Sequence, residues 1–114
     1  MRKPPILVVL VIAGALLSVL SATAFAATSV KVGDNYFVRP TGVPTVTVDK
    51  GTRVKWVWKG ESLHNVRSVS GPARVRSESM TSGSYAKRMR KRGNYTIICT
   101  IHGGGDQKMK LVVK

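Results

Sequence analysis

The sequence predicts an all-β domain, an antiparallel β-sandwich, behind a leading segment of different character. Three observations point there. Short β-branched or aromatic runs recur from residue 29 to residue 114, divided by glycine, proline and asparagine. The clearest run, Thr52–Lys59, alternates apolar and cationic residues with a period of two. After residue 27 no stretch shows convincing helical spacing of apolar residues, and there is no internal repeat.

The leading segment comes first in the chain. Arg2 and Lys3 precede an apolar run from Ile6 to Leu20, which ends in Ala24-Phe25-Ala26. A basic start, an apolar middle and a small-x-small end make a secretory signal peptide over residues 1–26, with cleavage after Ala26. The alternative is an uncleaved anchor, because Ile6–Ala27 can reach across much of a bilayer. Either way the domain is residues 27–114, placed in the periplasm, outside the cell or on the outer face of the cytoplasmic membrane.

Ser29–Asp34 alternates and reads as the first strand, and Tyr36 and Phe37 beside Pro40 pin the chain to the core. Thr45–Val48 and Thr52–Lys59 read as a hairpin across Asp49-Lys50-Gly51, with Gly51 free to take positive φ. In the second of these strands Val54, Trp56 and Trp58 share the core face. His64–Val69 is a strand stopped by Gly71-Pro72, whereas residues 73–82 alternate too weakly to assign. Ser84–Arg90 is a strand with Tyr85, Lys87 and Met89 on one side. Tyr95–Cys99 places Tyr95, Ile97 and Cys99 on one face, and Lys108–Lys114 closes the domain with Met109, Leu111 and Val113 inward.

Charge and cysteine content narrow the function. The chain has 19 Lys and Arg against 5 Asp and Glu. Such a field attracts acidic proteins, anionic lipid or polymers, and nucleic acid without distinguishing them, and export makes nucleic acid the poorest fit. Lys87–Arg92 holds five basic residues in six, either a solvated hairpin end or a docking patch for an acidic redox partner. Cys99 has no intramolecular partner for a disulfide, because it is the only cysteine. An unpaired thiol outside the cytoplasm calls for burial, an intermolecular bond or a metal.

The metal reading has a specific form. Cys99-Thr100-Ile101-His102 lies where a strand runs out into Gly103-Gly104-Gly105. Cysteine offers a soft thiolate and histidine an imidazole. With His64, the other histidine, they supply the His₂Cys set of a blue-copper electron-transfer site. Asn65, next to His64, is placed to hydrogen-bond across to the Cys99 loop and hold both ligands. The bland alternatives are a small buried cysteine and two surface histidines.

These residues resemble the plastocyanin-like cupredoxins, small exported type 1 copper proteins. The likeness rests on Trp56, His64-Asn65-Val66, Gly93-Asn94-Tyr95, Ile97, Cys99-x-x-His102 and the closing Leu111-Val112-Val113, and covers residues 29–114. It implies a Greek-key sandwich, one copper per chain cycling between Cu(I) and Cu(II), and a monomer that carries single electrons between redox partners. It also implies that His64, Cys99 and His102 are ligands. The axial position departs from the family's usual methionine. Gln107, five residues past His102, takes that place without a gap, whereas Met109 needs a loop two residues longer. Glutamine oxygen is a known axial alternative. The rival functions are a copper carrier without redox turnover, a cationic surface-binding protein and, least of all, a copper enzyme. An enzyme needs more coppers and therefore more histidines than the two present.

Overall fold

The computed structural model of the protein describes residues 26–114. The expected signal segment, residues 1–26, lies outside the described residues but for Ala26. Two four-stranded sheets face each other. The first has the order β2-β1-β4-β6, built from β1 (Ala27–Gly33), β2 (Tyr36–Phe37), β4 (Arg53–Trp58) and β6 (Ser84–Arg88). The second has the order β3-β8-β7-β5, built from β3 (Thr45–Val48), β5 (Arg67–Ser70), β7 (Gly93–Ile98) and β8 (Lys108–Val113).

The sandwich is therefore as expected, but its sheets are mixed and not purely antiparallel. β1 runs parallel to β4, and β3 runs parallel to β8. This also corrects the hairpin expected for residues 45–59. The turn forms: Thr52 N–H donates to Asp49 O at 3.1 Å, and Gly51 takes φ 94°. Its two arms then enter different sheets. Alternation fixes which side chains face inward, but not which neighbour a strand pairs with.

Inward faces follow the period-two pattern. Val54, Trp56 and Trp58 are buried on β4, Tyr95 and Ile97 on β7, and Met109, Leu111 and Val113 on β8. Phe37 and Met89 are wholly buried between them. Burying each large apolar side chain stabilises the fold by roughly 1.5–3 kcal/mol, so this set is the main term holding the sheets together.

Two local departures matter for the site. The strand expected from His64 begins only at Arg67. The reason lies in the backbone donors: Asn65 N–H points to Cys99 Sγ at 3.4 Å, and Val66 N–H donates to Ser77 Oγ at 2.8 Å. Residues 73–82, whose weak alternation predicts no strand, return alongside through isolated bridges between Arg67 and Arg76 and between His64 and Met80. A single helical turn, α1 (Gly103–Asp106), also forms after His102. Glycine is among the poorest helix formers, so sequence gave no sign of it.

Register defines two ends of the sandwich. At the base, Ala27 lies beside Arg53, Arg53 beside Arg88, and Gly93 beside Val113. At the upper pole, Val32 lies beside Trp58 and Ile98 beside Lys108. His64, Cys99 and His102 all belong to the upper pole.

Candidate metal centre

Two segments, far apart in sequence, deliver the three donor atoms. β7 ends by carrying Cys99 into the interior, where it is fully buried. The turn that follows brings His102 back over it, with Nδ1 3.5 Å from Cys99 Sγ. His64 arrives from the far side of the pole, wholly buried, with Nδ1 4.0 Å from the same sulfur. All three ligand atoms lie within 4.8 Å of one another.

That spacing suits a bound ion. A first-row ion such as zinc has bonds of about 2.3 Å to sulfur and about 2.0 Å to nitrogen, so a trigonal arrangement separates the donors by about 3.7 Å. The two sulfur–nitrogen separations, 3.5 and 4.0 Å, bracket this value. A thiolate and two imidazoles form the donor set of trigonal copper sites.

Asn65 performs the bracing role expected of it. Its Oδ1 accepts from Thr100 N–H at 2.9 Å, and its Nδ2 donates to Thr100 Oγ1 at 2.7 Å. Its own N–H reaches the cysteine sulfur. One side chain thus ties the His64 segment to the Cys99 loop and donates toward the thiolate.

Asp34 is the residue that sequence reasoning missed. It lies 30 positions from His64, in the β1–β2 turn, where Asn35 takes φ 71°. His64 Nε2–H donates to Asp34 Oδ1 at 2.7 Å. The carboxylate also accepts from Glu61 N–H, Ser62 N–H and Ser62 Oγ–H. The hydrogen bond from His64 first, and these others after it, hold the Asp34 carboxyl well below the usual carboxylate range. A Cβ at Gly60 would land on the Asp34 carboxylate, so glycine leaves the space that group occupies. With Nε2 carrying the proton toward Asp34, Nδ1 presents its lone pair to the cluster. Nothing in the local sequence around His64 signals so distant a partner.

Gln107 and Met109 have different surroundings. Gln107 is wholly buried just before β8, and its main-chain oxygen accepts from Cys99 N–H at 3.2 Å. Its Nε2 donates to Gly33 O at 3.1 Å and Tyr36 O at 3.0 Å, while Oε1 has no hydrogen-bond partner. A buried, unsatisfied amide oxygen is costly unless something else engages it. Met109 stands opposite Ile97 in the β7–β8 ladder and belongs to the hydrophobic core.

A two-sheet sandwich with a His-Cys-His cluster at one pole is a cupredoxin fold with a potential copper site, the resemblance read from sequence. Solved structures agree. The chain is similar to amicyanin: a methionine-to-glutamine variant in its Cu(I) form is 26% identical, with TM-score 0.65, covering 82% of this chain and 88% of that one. A reduced tryptophan-to-tyrosine amicyanin variant is 23% identical over the same shares, with TM-score 0.64. A copper-containing nitrite reductase from Thermus scotoductus SA-01 is 21% identical with TM-score 0.65, covering 82% of this chain but only 23% of that one. No family model and no curated relative matches the chain.

Proposed function

We propose that this protein is a type 1 copper electron carrier acting outside the cytoplasm, with His64 Nδ1, Cys99 Sγ and His102 Nδ1 as ligands and Gln107 Oε1 in the axial position. The observation that carries this reading is the convergence of three donors, from two segments far apart in sequence, at separations that suit one trigonal ion. Bound copper supplies a one-electron couple between Cu(I) and Cu(II).

The residues around it hold the site still. Asp34 clamps His64 from behind, Asn65 braces the Cys99 loop, and Gln107 is tethered through its amide nitrogen. Groups fixed in this way move little when charge changes, which keeps electron transfer fast. His102 is the one ligand with a partly exposed side chain. Beside the two histidines in sequence, Leu63 is 44% exposed and Ile101 46% exposed, giving the upper pole an apolar rim. A redox partner meeting that rim sits closest to the metal.

One feature favours a second reading, a copper carrier that passes the ion on. The partly exposed His102 precedes three glycines, so it is the proposed ligand best placed to let go. Repeated oxidation and reduction with a small redox dye, with a copper chelator present, separates the two. An electron carrier retains its copper through many cycles; a delivery protein loses it to the chelator within a few. No enzymatic turnover is proposed, since both histidines are used by the single site.

A further inference from the structure

The charge of this molecule is unevenly divided between its two ends. Four of its five acidic residues lie at the upper pole: Asp34 and Glu61 under His64, Glu78 beside the bridge from Met80 to His64, and Asp106 in α1. They offset the cations there. The base is different. Lys50, Arg53, Arg90, Lys91, Arg92 and Lys114 are all exposed there, with Asp49 the only acidic side chain among them.

The base is also well fixed. Lys50 N–H donates to Lys114 O at 2.8 Å, and Gly51 N–H to Met89 O at 2.7 Å. Tyr95 Oη–H donates to Lys91 O at 2.7 Å, anchoring the basic turn to the core. These cations are therefore presented as a set by a rigid end of the sandwich.

Two facts bear on what the set meets. β7 runs from Gly93 at the base to Cys99 at the metal centre, roughly 20 Å at about 3.3 Å per residue. A redox partner seated on the base would face the end remote from the proposed ligands, so the cluster at residues 87–92 is poorly placed for an electron-transfer contact. The second fact is where the chain enters. In sequence the apolar stretch Ile6–Leu20 precedes β1, whose first residues lie at the base, where Arg53 N–H donates to Ala26 O. Exposed cations at the end where an apolar stretch joins the domain in sequence match a bilayer and its anionic headgroups.

We propose that the basic base is a seat for an anionic phospholipid surface, which holds the domain upright with His102 and the apolar rim facing away. The cations add an electrostatic attachment to whatever the apolar segment contributes, and they set orientation as well as affinity. The proposal does not depend on the identity of the metal.

Vesicle co-sedimentation of the full chain tests it, with zwitterionic phosphatidylcholine compared against the same lipid containing one-third phosphatidylglycerol. Each cation near an anionic surface is worth about fivefold in partition. Binding to the anionic vesicles is expected to be at least about tenfold tighter, with the difference vanishing near 1 M salt, where screening acts within about 3 Å. The triple variant R90E/K91E/R92E should lose that difference. A control with equal charge change at or near the upper pole, K31E/K59E/K108E, should keep it, and circular dichroism confirms that both are folded. Equal loss in the two variants would mean that net charge alone is read, and would overturn the proposal. So would equal binding to both vesicle types. If polyglutamate binds the wild type at the base while the vesicles show no preference, the surface belongs to an acidic protein instead.

Discussion

His64 is held on both sides of its ring, by Asp34 at Nε2 and by the cluster at Nδ1. The carboxylate makes the imidazole a better donor and stabilises the more positive metal state. Asp34→Asn keeps an acceptor of similar shape but removes the charge. It should weaken copper affinity by about 10–100-fold and raise the reduction potential, as read by chelator competition and voltammetry. The axial position has its own pair of variants. Gln107→Met replaces a hard oxygen with a soft thioether, so it should alter the copper spectrum and raise the potential. Met109→Leu should leave the spectrum alone, because Met109 packs against the ladder at Ile97, and should cost less than about 1.5 kcal/mol of stability in urea titration. A spectral change from Met109→Leu alone would reverse the two assignments. Asp34 was the illegible member of this site. Its role depends on a contact between β1–β2 and the segment before β5, and no local spacing encodes such a contact.

At the scale of elements, the site depends on how loops are joined across the upper pole. Asn65 links the His64 segment to the Cys99 loop through three polar contacts with Thr100 and the sulfur. Asn65→Ala removes the acceptor of the Thr100 N–H and the donor to its hydroxyl, at a cost of about 0.5–1.5 kcal/mol for each lost bond. The variant should also show a broadened copper spectrum, as the two histidine-bearing segments come apart. This brace was legible because Asn follows His64 directly. Strand faces were legible too, since burial on β4, β7 and β8 follows the period of two. Pairing was not. The turn at Asp49–Gly51 formed as its residues dictate, yet β3 and β4 went to opposite sheets, because partner choice rests on the packing of the whole sandwich. The strand expected from His64 was shortened for a related reason: Asn65 and Val66 give their N–H groups to the sulfur and to Ser77 instead of a ladder.

Over the whole molecule, one core supports both ends. Trp56 spans the interior beneath the site, wholly buried and against Tyr85 with ring centroids 5.7 Å apart. Trp56→Ala should cost about 3–5 kcal/mol, measured by chemical denaturation, and should weaken the copper site by loosening the frame rather than the ligands. Copper itself should stabilise the fold by mass action: free copper at a hundred times its dissociation constant adds about 2.7 kcal/mol, visible as a higher melting temperature than that of the metal-free protein. The clustering of His64, Cys99 and His102 was legible because so few histidines and cysteines are present that the pattern had little room to mislead. The division of charge between the poles was not, since it appears only when strand directions are known. The central claim is that a thiolate and two imidazoles hold one copper in a trigonal site. The most direct measurement is the visible and electron paramagnetic resonance spectrum of the copper-loaded protein. An intense thiolate-to-copper band with narrow hyperfine splitting, both abolished by Cys99→Ser, is the predicted result, whereas a colourless Cu(II) form with wide splitting would contradict it.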